Sequence, residues 1–392
     1  MSSVCLCKTV SRAAANELVD ALQAHGYCYL KHDAVSPTLL KEVKTRGRNF
    51  FTSLYPSLSE FHKESLRTEM GYRGFYRYVG ASGRDDAIDC FSIGRDIHDP
   101  QRLRQDYYAS AGWESSEYMP KISRVNPWGP LLEVSPNAGR EFQQTLLTYY
   151  DACHEVSMDA LRHIACALGI KPAQNNGEQL PDDAIDEDYF VSNHSKRDHN
   201  LEVKFYPQLG RVARSKPIAE VRGASEKNPT GPKVLRRKTA SAEPLLPMAA
   251  ASPGSSTDRS ARNASPSTTP ASSPLVRLDK HSDLSTITLL AQDVMGGLEV
   301  YDETKEAFIE VPVLEDALLM NAGMFLERWT DGFIEATPHR VRSVGTEDRC
   351  SVVFFCFPNH DAVIDPMLQA NDNPALAQAA SFTAGDMMPP VV

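Results

Sequence analysis

The chain has 392 residues, 42% of them hydrophobic, with a net charge of −10 and eight cysteines. That length is enough for a substantial core or two domains, while the acidic balance argues against broad nucleic-acid binding. No run approaches the roughly 20 apolar residues of a membrane span. Cys5-Leu-Cys7 is too tight for a usual zinc pair, and no signal-peptide core stands in Met1–Lys8. The expectation is a cytoplasmic protein with reduced thiols.

In chain order, Ser11–Ala24 reads as a helix. Ala14, Leu18 and Leu22 share one stripe, Ser11 is the N-cap, and Gly26 lies past the end. A strand follows at Tyr27–Leu30. Ser36-Pro37 pairs an N-cap with proline at the first helical position, opening a helix toward Phe50-Phe51. A long helix is predicted over Gly139–Leu168, capped by Asn137 and ended by Gly169. Its inner face is Phe142, Leu146, Tyr149, Cys153, Val156, Leu161, Ile164 and Leu168. Residues 208–275 then change character. Ser, Pro, Ala, Thr and Gly dominate, and eleven Lys/Arg stand against four Asp/Glu, so the stretch is basic in an acidic chain. It cannot bury a core and is predicted to be a disordered insertion. Arg236-Arg-Lys-Thr-Ala-Ser241 within it places hydroxyls after a basic cluster, a pattern basophilic kinases prefer.

The residues that carry chemistry come last. His281-Ser-Asp283 is followed 56 residues after the Asp by His339, then by Arg349-Cys-Ser351. On an extended segment residues two apart point the same way, so His281 and Asp283 aim at one point. Leu284–Leu290, His339–Ser343 and Arg349–Phe357 read as strands. Two imidazoles and a carboxylate can occupy one face of an iron(II) ion and leave the other open. Arg349 and Ser351, two apart on one strand face with Val353, Phe355 and Phe357, can grip one carboxylate. A histidine on a strand is also a common structural residue, so the spacing alone leaves both readings open.

The surrounding text resembles the iron(II)- and 2-oxoglutarate-dependent dioxygenase superfamily, in its isopenicillin N synthase-like branch. The matching series is His281–Asp293, Gly296-Gly-Leu-Glu-Val300, Asn321-Ala-Gly323, Leu326–Gly332, Thr337-Pro-His-Arg-Val341, Arg349-Cys-Ser351 and Phe357-Pro-Asn359. Upstream, Gly26–Asp33, Phe50-Phe51, Gly71-Tyr72 and Tyr206-Pro207 also match, so the resemblance covers nearly all of 10–207 and 276–366. It implies a mixed α/β, mainly β fold, a double-stranded β-helix (jelly-roll) core flanked by helices, with the long helix supporting the barrel.

It further implies that His281, Asp283 and His339 bind Fe(II), with no catalytic side chain beyond these ligands. Arg349 and Ser351, joined by Tyr206, would hold the distal carboxylate of the co-substrate 2-oxoglutarate, with O2 as the oxidant. Phe355 and Phe357, with Tyr72, Tyr76 and Arg95 from the covering N-terminal region, are candidate substrate contacts. Two departures stand out: Lys204 replaces an asparagine common in relatives, and Cys350 replaces a larger residue. The implied division is an N-terminal region 1–135, a helix and first jelly-roll part 136–207, the insertion 208–275, the catalytic jelly-roll 276–366 and a tail 367–392. The expected partner is a small molecule, with no nucleic acid and no membrane. An oxidase that dispenses with 2-oxoglutarate, or a non-catalytic iron- or 2-oxoglutarate-responsive binding protein, remain the alternatives.

Overall fold

The computed structural model describes residues 3–68, 73–79, 87–96, 125–172, 181, 184–208, 221–222, 275–343, 347–367 and 382–387. Two sheets face each other. The larger has nine strands in the order β1-β2-β11-β8-β13-β5-β4-β3-β6. Its members are β1 (Ser3–Cys5), β2 (Tyr27–Lys31), β3 (Gly74–Val79), β4 (Ile88–Ile93), β5 (Asn200–Tyr206), β6 (Val221–Arg222), β8 (Ile287–Ala291), β11 (Leu318–Ala322) and β13 (Arg349–Cys356). The smaller has the order β10-β9-β12-β7, formed by β7 (Val276–His281), β9 (Leu298–Asp302), β10 (Ala307–Glu310) and β12 (His339–Arg342). The core strands of both sheets pair antiparallel. This is the jelly-roll arrangement.

Period-two alternation sorts the strands' side chains into two apolar cores. On β5, Leu201, Val203 and Phe205 join the core beneath the helices. The alternate residues Asn200, Glu202, Lys204 and Tyr206 face the other way, and Tyr206 belongs to the core between the sheets with Leu290, Leu319 and Val353. On β13, Cys350, Val352, Phe354 and Cys356 lie on the helix side. Cys350 therefore points away from the barrel interior.

Three helices cover the large sheet's outer face. Helix α1 (Arg12–His25) buries Ala15, Leu18, Val19 and Leu22 and ends at left-handed Gly26. Ser11 stands at its N-cap, but its side chain accepts no capping bond. Helix α2 (Pro37–Asn49) is capped as expected: the Ser36 hydroxyl accepts from the Leu39 N–H. It runs into a π-helical turn at Phe50–Leu54, where Phe50 stacks on Phe142. The long helix α3 spans Pro136–Leu168 and stops at left-handed Gly169. It begins before the predicted Gly139, because Pro136 takes the first helical position after Ser135 and Asn137 lies inside the helix. Its predicted inner face is buried, apart from the half-buried Leu168 at its end.

Two expectations are corrected. The stretch Leu284–Leu290 forms strand only from Ile287, because the preceding residues carry the chain from one sheet to the other. Within 208–275, Val221–Arg222 form β6, parallel to Tyr78–Val79 at the sheet edge. The rest of the predicted insertion between 209 and 274, including Arg236–Ser241, lies outside the described residues. Among the described residues no helix is long and apolar enough to cross a membrane.

Candidate active site

His281 is the last residue of β7 and lies opposite His339, the first residue of β12, in the small sheet. Asp283 sits two residues on, in the connection that crosses to β8 of the large sheet. The extended run expected through His281 and Asp283 is thus broken at the sheet boundary, and the carboxylate is aimed by the crossing. That crossing is held in place by backbone bonds. The Met324 N–H donates to the Asp283 carbonyl at 2.9 Å, and the Phe325 N–H to the Ser285 carbonyl at 3.1 Å. Both donors belong to the first turn of helix α4 (Met324–Trp329).

The ligand atoms of His281, Asp283 and His339 lie within 4.8 Å of one another. Each imidazole Nε2 is 3.7 Å from Asp283 Oδ1. His281 Nδ1 faces the Asp279 carbonyl at 2.8 Å, and His339 Nδ1 faces the Thr337 carbonyl at 2.9 Å. A carbonyl only accepts, so each Nδ1 carries the proton and each Nε2 presents a lone pair inward. Asp283 Oδ2 accepts from the Asn321 amide at 3.0 Å, which fixes the carboxylate plane. Burial pushes His281 down to a pKa of about 4, and the adjacent His339 adds to this. Burial opposes ionisation of Asp283, yet the two imidazoles and the Asn321 amide outweigh it and hold the carboxyl below its ordinary range. Two neutral nitrogens and one carboxylate oxygen on a single side fit iron(II), with oriented outer partners of the kind metal ligands use.

The three ligands open onto a cleft that Arg349, Ser351 and Tyr206 also line. Arg349 is 5% exposed. Its Nε donates to the Gly296 carbonyl at 2.7 Å and its Nη1 to Ser351 Oγ at 3.0 Å. Tyr206 lies opposite Arg349 in the β5–β13 ladder, its ring 4.7 Å from the guanidinium carbon. The side chain is therefore held in place, and among the described residues Nη2 has no hydrogen bond and can meet an anion. The base of the strand is pinned from the helix side. Asp293 Oδ2 accepts from the Cys350 N–H at 2.6 Å and from Arg48 of α2 at 2.7 Å.

Phe355 lines the cleft. Three other candidate contacts are corrected. Phe357, one residue past the end of β13, packs against the helix-side core. Tyr76 is buried between the sheets but hydrogen-bonds with Glu202 and does not line the cleft. Arg95 ion-pairs with Asp198 at 3.1 Å and donates to the Lys196 carbonyl, away from the cleft lining. Tyr72 lies outside the described residues. Sequence reasoning missed three residues. Asn321 and Asp293 stood inside matched motifs without an assigned role. Lys204 was marked only as a departure, and it lines the cleft.

A family model described as the 2OG-Fe(II) oxygenase superfamily matches residues 262–358. A second, described as the N-terminal part of a non-haem dioxygenase in morphine synthesis, matches residues 5–116. The chain is 35% identical over 98 residues to a feruloyl CoA ortho-hydroxylase of Arabidopsis thaliana, a match that spans 25% of this chain and 27% of that enzyme. It is 24% identical over 365 residues, 90% of this chain and 81% of the other, to the 2-oxoglutarate-Fe(II) type oxidoreductase ppzD of Metarhizium majus. Among solved structures, a 2OG-Fe(II) oxygenase family protein from Caulobacter crescentus shares the fold, with a TM-score of 0.60 and 19% identity over 96% of this chain and 92% of that one.

Proposed function

The chain belongs to the 2OG-Fe(II) oxygenase superfamily, and from that premise we propose that it is an iron(II)- and 2-oxoglutarate-dependent dioxygenase that oxidises a small, partly apolar molecule. One observation carries this reading: the three metal-ligand atoms and the Arg349–Ser351 pair open onto the same cleft. His281, Asp283 and His339 would hold the iron through two lone pairs and one anionic oxygen. Arg349, Ser351 and Tyr206 would hold the far carboxylate of 2-oxoglutarate. When bound, iron and 2-oxoglutarate together supply the oxidant, by O2-dependent conversion of 2-oxoglutarate to succinate and CO2. The residues of the chain bind, orient and shield. Arg349, already bonded to Gly296 and Ser351, meets a carboxylate without rearranging. Leu298, Val300, Leu319 and Val353 line the walls and exclude water. The substrate is hydroxylated, desaturated or cyclised. All eight cysteines are unpaired, which supports a reducing, cytoplasmic setting.

The test is succinate formation from 2-oxoglutarate with iron(II) and O2. His281→Ala, Asp283→Ala and His339→Ala should each abolish it in folded protein, since each removes one of three ligands. Wild-type turnover in any of them would overturn the triad. Oxygen uptake without succinate would favour the oxidase alternative, and metal binding without oxygen uptake the binding-protein alternative.

A further inference from the structure

The cleft holds a second cation. Lys204 sits on β5 opposite Ser351 of β13 and Cys90 of β4, on the strand face that looks into the barrel. Its side chain is 18% exposed, and its ammonium lies 2.9 Å from Glu202 Oε2. Glu202 is itself buried, and its Oε1 accepts from the Asn200 amide at 2.9 Å. The ammonium does not sit at the Arg349 end. Glu202 is opposite Val353, and the Lys204 nitrogen lies 5.6 Å from the centre of the Phe355 ring. Phe355 in turn is opposite Thr288, and Thr288 is opposite Asn321, which holds Asp283. Lys204 thus reaches toward the level of the metal ligands, and it lines the same cleft as His281, Asp283 and His339. The Glu202 carboxylate keeps Lys204 protonated, raising its pKa against the opposing effect of burial.

An ion pair this poorly solvated is weak evidence of a stabilising role, since apolar residues of similar volume often serve as well. The ammonium has three donors and one ion-pair partner among the described residues, so it has donors to spare. The Arg349 end is buried, with Arg349 and Ser351 5% and 1% exposed, whereas Lys204, His281 and Phe355 are each partly exposed.

We propose that Lys204, positioned by Glu202, is a specificity-determining residue that selects a substrate bearing a carboxylate, which it binds at the open end of the cleft beside the metal ligands. This rests on the dioxygenase reading above, in which Arg349 and Ser351 hold 2-oxoglutarate at the buried end. The oxidised carbon would then lie a short, fixed distance from the acid group, set by the gap between Lys204 and the metal.

A carboxylate can also come from the metal-binding end of 2-oxoglutarate, so the test has two arms. The first measures, by calorimetry, 2-oxoglutarate affinity of the manganese(II)-loaded protein. The second measures binding by ligand-observed NMR, with manganese omitted, of phenylacetate, 3-phenylpropanoate and octanoate, each beside its primary amide. Lys204→Met is compared with wild type. The double variant Glu202→Gln/Lys204→Met is run with it, because the single change strands a buried carboxylate. The expected result is a wild-type preference for acid over amide of about 10-fold to 100-fold, abolished in both variants, with 2-oxoglutarate affinity within about twofold of wild type. Equal binding of acids and amides by the wild type overturns the proposal. So does a tenfold loss of 2-oxoglutarate affinity in the double variant, which would assign Lys204 to the co-substrate. Wild-type protein that binds manganese but no 2-oxoglutarate would instead remove the dioxygenase reading on which the proposal stands.

Discussion

At the scale of single residues, the site depends on side chains that have lost their freedom before any ligand arrives. Each imidazole has one nitrogen committed to a backbone carbonyl, so only one tautomer fits. Arg349 is held by Gly296, Ser351 and the Tyr206 ring. Lysine would keep the charge but lose the planar fork and the reach to two acceptors at once. Arg349→Lys should raise the 2-oxoglutarate concentration for half-maximal turnover by about 10-fold to 100-fold, the value of one or two charge-assisted hydrogen bonds. Metal affinity, read by manganese titration, should be nearly unchanged, since Arg349 touches no ligand. An unaltered 2-oxoglutarate requirement would show that the guanidinium holds something else.

At the scale of elements, the ligands are aimed by junctions. Gly323 precedes α4, and a Cβ there would come within 2.1 Å of the Ser285 carbonyl oxygen. That approach is what lets the Met324 and Phe325 N–H groups reach the Asp283 and Ser285 carbonyls. Gly323→Ala should therefore push α4 off the β7–β8 crossing. The expected cost is about 1–3 kcal/mol of stability, the usual range for overpacking. Manganese affinity should fall with it, through Asp283. A variant with lowered melting temperature but wild-type metal affinity would show that Asp283 is aimed by Asn321 alone. Gly26 is the matching junction on the other side. Its φ is +76°, and a Cβ would meet Thr337 Cγ2 at 2.7 Å, two residues before His339. The Thr337 hydroxyl donates to the Gly26 carbonyl, which ties the α1–β2 turn to the approach of the second histidine.

At the scale of the whole molecule, the helices and the sheets share a set of imidazoles outside the cleft, His194 and His199 buried and His154 half-buried. His154 of α3 and His199 sit 2.9 Å apart, and His194 bonds the Thr286 hydroxyl at 2.8 Å. Burial lowers His154 and His194 to about 4 and takes His199 further down. The unfolded chain takes up protons near pH 6.5, where the folded one does not until about pH 4. Stability should be intact above pH 6.5 and fall as the pH drops through that window, by up to about 1.4 kcal/mol per pH unit for a fully buried imidazole. Denaturant midpoints measured from pH 7 to pH 4 check this, and a flat profile would mean that these rings are charged in the folded protein.

The insertion belongs to this scale too. Arg277 Nη1 donates to the Pro207 carbonyl at 3.1 Å, so the two ends of the intervening segment already meet. Replacing 211–272 with a short Gly-Ser link removes only β6 from the described strands. Closure costs change slowly with loop length. The shortened protein should stay soluble and bind manganese and 2-oxoglutarate within about twofold of wild type. Loss of soluble, metal-binding protein would give the segment a structural role.

The sequence by itself determined what depends on local pattern. Alternation on β13 set that Arg349, Ser351, Val353 and Phe355 face the barrel, and the 3.6-residue stripe of α3 set its buried face. Residue types two apart marked His281 with Asp283 and Arg349 with Ser351, although only the second pair lies on a single strand. Only the tertiary structure decided what depends on which strands become neighbours. His281 meets His339 because β7 pairs with β12, and Asp283 reaches them from a crossing between sheets. Asn321 and Asp293 acquire roles from strands and helices distant in sequence. Phe357, Tyr76 and Arg95 have suitable chemistry but were carried to other surroundings by the end of β13, by the Glu202 bond and by Asp198. Lys204 was visible as an unusual residue, yet its position near the metal ligands follows from the β5–β13 register and from Glu202, neither of which a linear pattern contains.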